Sequence, residues 1–138
     1  MEILKEIKKE DIVKKVMSEI GKAKKEILAT MDVDEELGFF LPTKYYFLLR
    51  RKYEQGVRIK RIIFGSVKQY KYFIKEVKKK ELFFIGKHTK SKNYKRMIMI
   101  DETKLFFRKK IKGKEKFYFT ADTKYIKDYK NYFNKFKY

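Results

Sequence analysis

The chain has no cysteine, no tryptophan, one proline, one histidine and six glycines in 138 residues. Without cysteine there can be no disulfide staple, no thiolate zinc site and no thiol nucleophile. The fold must therefore rest on a core of aliphatic residues, Phe and Tyr. Long apolar runs are absent too. The stretches 82–85 and 97–100 are short, far below the roughly 20 residues that cross a bilayer. The start, Met1-Glu2-Ile3-Leu4-Lys5-Glu6, lacks the apolar segment and small-residue cleavage site of a signal peptide, so a cytoplasmic protein without a membrane partner is expected. There is no Walker loop, no G-x-G-x-x-G and no nucleophile elbow, and no cofactor is expected.

What is present is charge and aromatic surface. Hydrophobic residues make up 43% and aromatics 17% of the chain, enough for an ordered core despite 41% charged residues. The length suits one domain spanning 1–138. Lys and Arg number 38 against 18 Asp and Glu, a formal net charge of +20. A field of that sign attracts polyanions, nucleic acid first among them. Abundant Lys and Glu also mark heat-adapted proteins, but a balanced surface of that kind would carry comparable Glu.

Periodicity divides the chain into alternating elements. Residues 1–10 read as a loose extension of a first helix, for which Asp11 is a plausible N-cap and Ile12, Val16, Ile20 and Ala23 form the apolar face. Residues 27–31 read as a buried strand that leaves into an acidic loop, 31–36. Pro42 and Gly56 punctuate a second helix, with Arg50, Arg51 and Lys52 at its negative end. Strand 57–64 follows. Ser66 and Gln69 have the spacing of a capping box for a third helix carrying Tyr70, Phe73, Ile74 and Val77 inward. Residues 82–85 read as a third strand, 87–95 as a basic loop, 96–101 and 104–111 as paired strands and 116–119 as a last strand. The tail from Ala121 reads as a helix with Tyr125, Tyr129, Tyr132, Phe133 and Phe136 on one face. Early alternation implies parallel strands and the later short turns an antiparallel extension. The expected fold is α/β, with a mixed sheet and helices on both faces.

The segment 94–101 carries a resemblance. Tyr94, Arg96 and Asp101 stand at the spacing of the H-x-K-x4-D signature, with the apolar Met97, Ile98, Met99 and Ile100 between them. The element order resembles one half of the phospholipase D superfamily fold. In that family the His is nucleophile, the Lys binds phosphate and the Asp supports the site. Here Tyr replaces His, Arg replaces Lys, and the Gly-Ser-x-Asn element that usually follows is missing. The chain is most similar in character to the effector domain of TrmB-type archaeal transcriptional regulators. Gly56-Val57-Arg58-Ile59 and the aromatic final helix resemble theirs. The resemblance implies a non-catalytic phospholipase-D-like module acting on nucleic acid or in transcription regulation. The alternatives are a divergent nuclease or phosphodiesterase, and a sensor of a phosphorylated or sugar ligand.

The candidate phosphate or nucleic-acid contacts are Lys87, His88, Lys90, Lys92, Lys95, Arg96 and Arg108, because ammonium groups neutralise phosphates and guanidinium offers a bidentate fork. His88 and Asp101 are the weak catalytic candidates, His88 being more simply a solvated side chain. Asp32, Asp34, Glu35 and Glu36 have the chemistry to hold Mg²⁺, though a solvated loop is the simpler reading. No metal site is expected. For the final helix, docking on the sheet is the default, with homodimerisation and nucleic-acid contact as alternatives.

Overall fold

Residues 26–32 and 58–64 are buried along almost their whole length, as strands are when helices or further strands cover both faces. They form the middle of the fold. The computed structural model describes residues 3–38 and 40–138. These comprise β1 (Lys5–Ile7), α1 (Ile12–Gly21), β2 (Glu26–Asp32), α2 (Val33–Gly38), α3 (Thr43–Glu54), β3 (Arg58–Phe64), α4 (Val67–Lys79), β4 (Lys87–Thr89), β5 (Met97–Ile100), β6 (Lys104–Ile111), β7 (Lys114–Thr120) and α5 (Thr123–Asn134).

The seven strands make one mixed sheet in the order β1-β7-β6-β5-β2-β3-β4. β2, β3 and β4 run parallel. β5, β6, β7 and β1 continue the sheet antiparallel. The expected α/β class and the switch from parallel to antiparallel both hold. Strand alternation sorts the core. Ile27, Ala29, Ile59, Ile98, Ile100 and Phe106 face α1 and α3. Leu28, Ile62, Phe64, Met97, Met99, Leu105 and Phe107 face α5. Met31, Ile63, Phe73 and Val77 close the core beneath α4.

The helix boundaries show why local chemistry predicts them well. Gly56, at φ +94°, ends α3 in a Schellman motif. Val57 N–H donates to the Lys52 carbonyl at 3.0 Å and Gly56 N–H to the Tyr53 carbonyl at 3.1 Å. Pro42 sits one residue earlier than expected, as N-cap rather than first helical residue. The capping box is formed. Gln69 N–H donates to Ser66 Oγ at 3.2 Å, and Ser66 N–H donates to Gln69 Oε1 at 3.3 Å. Ser66→Ala is expected to cost about 1 kcal/mol, read as a fall of a few degrees in Tm.

Four expectations need correction. First, part of the 1–10 stretch is an edge strand rather than a helical extension: β1 pairs with β7, Ile7 opposite Phe117, and Ile7 is buried. Met1 and Glu2 lie outside the described residues. Second, Asp11 occupies the N-cap of α1, but its side chain makes no cap hydrogen bond, because a 3-10 turn over Lys9–Asp11 leads into the helix. Third, the acidic stretch is no solvated loop. Asp32 accepts the Glu35 N–H at 3.2 Å, and Val33–Gly38 is helical with Val33 and Glu36 buried.

Fourth, 82–85 is not a strand. Glu81 takes a left-handed φ of 54°, so the chain leaves α4 sideways. Phe83 and Phe84 then pack on Tyr53 and Phe73. At Gly86 a Cβ would lie 2.9 Å from the Ile63 side chain. That close approach lets the chain join β3, and the ladder begins at Lys87, opposite Ile62. The "basic loop" thus starts as strand β4.

Candidate nucleic-acid interface

The seven candidate contacts do not form one site. Between Lys95 and Arg96 the chain enters β5, and consecutive side chains on a strand point to opposite faces. Lys87 and Lys95 go with α5, Lys90 and Lys92 lie on the exposed segment between them, and Arg96 and Arg108 go with α1 and α3.

On the α5 side, the segment 87–95 is fastened to the C-terminal end of that helix. Lys95 N–H donates to Tyr132 Oη at 2.8 Å, and Tyr132 Oη donates to the Asn93 carbonyl at 2.7 Å. Lys95 Nζ lies 5.3 Å from the Tyr132 ring centre, and Lys87 Nζ donates to the Lys137 carbonyl at 2.9 Å. Lys87, Lys90, Lys92 and Lys95 are all exposed. Among the described residues none of the four lies within ion-pair distance of a carboxylate.

Nearby, Lys60, Lys130 and Lys137 surround a cavity of about 320 Å³ with Phe133, Asn134 and Tyr138. Lys60 was missed as a site residue in the sequence reading. Its signal was the register: Lys60 stands opposite Leu28, whose side chain faces α5. Lys130 is less available, being paired with Glu26 at 3.3 Å and with Glu102. The α5 aromatics are turned to the sheet: Tyr125 and Tyr129 pack on Phe107, and Phe136 on Phe64.

His88 faces the other side of the sheet, toward α4. Its ring stacks on Tyr70 at 4.4 Å between centres, and its Nε2 lies 2.7 Å from the Gly65 carbonyl. Tyr94 packs on Phe64 at 5.0 Å. Burial pushes the Tyr94 hydroxyl well above its ordinary pKa, and the nearby Glu35 adds to the effect.

Asp101 stands at the other end of β5 from Arg96. Its φ is 54°. Its carboxylate accepts three backbone N–H groups, from Lys24 at 2.9 Å, Lys25 at 2.7 Å and Glu26 at 2.9 Å. Burial pushes its pKa up, but the three N–H donors outweigh that and hold it below 3.8. Asp101 thus pins the β5–β6 turn to the start of β2, away from Tyr94 and Arg96, which share the neighbourhood of Glu35.

The arginines line a separate cleft. Arg108 follows Phe106 on the α1/α3 face of β6, and its N–H bonds the Arg96 carbonyl at 3.2 Å, so the two are cross-strand neighbours. Glu35 of α2 reaches over both. It pairs closely with Arg108 and stands 3.7 Å from Arg96. Burial raises the Glu35 pKa, but Arg108 and Arg96 pull it below the ordinary value. Glu115 adds a second contact to Arg108 at 3.4 Å. Beside them Glu36 accepts the Tyr46 hydroxyl proton, and burial pushes the Tyr46 pKa up strongly. Of the acidic residues of α2, Glu35 therefore balances Arg96 and Arg108, and Glu36 is engaged by Tyr46. Among the described residues no group of three or more His, Asp or Glu could hold a metal ion.

Of the basic residues between 50 and 61, two are taken into the interior: Lys52 Nζ donates to the buried Ala23 carbonyl at 3.1 Å, and Arg61 is 2% exposed. Arg50, Arg51 and Arg58 are exposed, Arg50 pairing with Glu54 at 3.2 Å.

Among the described residues, no helix is long and apolar enough to cross a membrane. No family model matches the sequence, and no curated protein matches it. Among solved structures the fold is similar to that of TrmBL2, an archaeal chromatin protein described as showing a novel mode of DNA binding, with a TM-score of 0.68 and 18% identity. The likeness covers 98% of this chain and 52% of that one, so the chain spans about half the length of its structural neighbour.

Proposed function

We propose that this domain is a non-catalytic nucleic-acid-binding module that grips phosphate backbones through the lysines of segment 87–95 and the adjoining end of α5. The observation that carries the reading is the set of exposed lysines Lys87, Lys90, Lys92 and Lys95, without carboxylate partners among the described residues, on a segment tied to the end of α5 through Lys87 and Lys95, in a chain of net charge +20. Ammonium groups of this kind release condensed counterions when they meet phosphates, which gives affinity without sequence preference. The DNA-binding chromatin protein of similar fold supports the same reading. So does the engagement of the two candidate catalytic groups, His88 with Gly65 and Tyr70, and Asp101 with three backbone N–H donors.

A phospholipase-D-like ancestry fits the mixed sheet and the 94–101 spacing. In that reading Tyr94 has become a core residue beside Arg96 and Glu35, and Asp101 has become a turn anchor.

The experiment is a gel shift with mixed-sequence duplex DNA and RNA in rising salt, alongside a hydrolysis assay with and without Mg²⁺. Retarded complexes at low salt, lost as salt rises, with intact nucleic acid throughout, are expected. Retention indifferent to salt would count against backbone binding, and Mg²⁺-dependent cleavage would restore the nuclease alternative.

A further inference from the structure

The cleft on the α1/α3 face asks for an occupant of its own. It has a volume of about 540 Å³, within the range of roughly 300–1,000 Å³ typical of small-molecule sites. Its walls are mainly apolar. Ile12 and Val13 come from α1, Tyr45 from α3, and Ile98, Phe106 and Phe117 from the sheet. The floor is open because Ala29 is the smallest side chain on that face of β2, between Ile27 and Met31. The cleft also lies toward the carboxyl ends of β2 and β3, where α/β sheets hold ligands.

Its polar end is a cation with spare capacity. Arg108 Nη1 is engaged by Glu35 and Glu115. Arg96 meets Glu35 only at 3.7 Å, an ion pair too long for a hydrogen bond, and its side chain is 30% exposed. Glu35 Oε1 is itself buried without a hydrogen-bond partner. Arg96, Arg108 and the exposed Lys9 line the cleft with Glu35, Glu36 and Glu115. Glu36 is engaged by the Tyr46 hydroxyl and Glu115 by Arg108, so Arg96 is the guanidinium left with donors open to the apolar hollow. A carboxylate of the right size meets such donors with charge-assisted hydrogen bonds.

We infer that this cleft binds a small organic monoanion with an apolar body, its carboxylate on the Arg96 guanidinium and its body over Ala29. None of Lys87, Lys90, Lys92 and Lys95 lines the cleft, so it stands or falls separately from nucleic-acid binding.

The probes are octanoate, octylammonium and 1-octanol, titrated into the full chain and followed by amide chemical shifts around Ala29, Ile98 and Phe106. Octanoate is expected to bind saturably and about tenfold more tightly than the other two, the discrimination of one charge-assisted contact. Ala29→Leu fills the hollow and is expected to abolish octanoate binding. Arg96→Gln, which leaves the floor intact, is expected to lose about tenfold for octanoate and nothing for octanol, and it decides the matter if A29L does not fold. Shifts that never saturate, equal response to all three probes, undiminished binding by folded A29L, or unchanged octanoate affinity in R96Q would each overturn the proposal.

Discussion

Replacing Asp101 with alanine is expected to cost the fold about 3 kcal/mol, a fall of roughly 8–15 °C in Tm. Two physical effects add. The carboxylate accepts the N–H groups of Lys24, Lys25 and Glu26 at 2.7–2.9 Å, and hydrogen bonds to a charged acceptor contribute about 1.5–3 kcal/mol, less where water can replace them. Lys24 and Lys25 are exposed, so their N–H groups find water; Glu26 is buried and its N–H does not. The left-handed φ of 54° adds a penalty for Ala that Asp and Asn largely escape. Asp101→Gly removes the acceptor and relieves the backbone, so the difference between D101G and D101A isolates the conformational part. Asp101→Asn keeps an oxygen and is expected to lose about half of the total.

The dependence on pH follows from the depressed pKa. A carboxyl whose folded pKa lies below its unfolded value of 3.8 contributes stability above that value, and the contribution is lost as pH falls through the folded pKa. The stability gap between wild type and D101N is therefore expected to be constant near neutrality and to shrink below pH 3.8. Urea denaturation across a pH series reads it.

The second large effect concerns the lysine surface. The variant Lys87→Gln/Lys90→Gln/Lys92→Gln/Lys95→Gln is expected to bind mixed-sequence duplex about two orders of magnitude more weakly at low salt, four phosphate contacts being lost. The matched control is Lys14→Gln/Lys15→Gln/Lys71→Gln/Lys75→Gln. These lysines are exposed on α1 and α4 and lower the net charge by the same four units. If only the overall field mattered, the two variants would weaken alike. The account expects the control to lose no more than severalfold, because long-range attraction is screened beyond about 10 Å. All eight side chains are exposed, and both variants are expected to keep the wild-type Tm within a few degrees.

Much of the fold was readable because local chemistry specified it. Pro42, Gly56, Ser66 and Gln69 mark helix ends through backbone geometry and hydrogen bonds that depend on near neighbours only. Strands β2, β3, β5 and β6 announce themselves by β-branched and apolar runs. The misreadings share one cause. Residues 82–85 have a strand's composition, yet Phe83 and Phe84 are claimed by Tyr53 and Phe73, distant in sequence. Ile7 is recruited by β7, and Glu36 by Tyr46. Long-range partners override local pattern in each case.

The candidate site was legible as chemistry and not as geometry. Lys87, Lys90, Lys92 and Lys95 stand together as a run in the sequence and are all exposed in the fold. Arg96 and Arg108 belong to the same sequence neighbourhood, but strand alternation and the pull of Glu35 carry them to the opposite face. Asp101 follows Arg96 across a strand of four residues, Met97–Ile100, and a rise of about 3.3 Å per residue already sets the two at its opposite ends.

The most direct test is the salt dependence of duplex affinity for wild type and both four-lysine variants, taken from fluorescence anisotropy between about 50 and 200 mM salt. If segment 87–95 meets the phosphates, the slope of log Kd against log salt flattens by about four in that variant and by no more than about one in the control. Equal slopes in the two variants would mean that phosphate contact lies elsewhere on the chain.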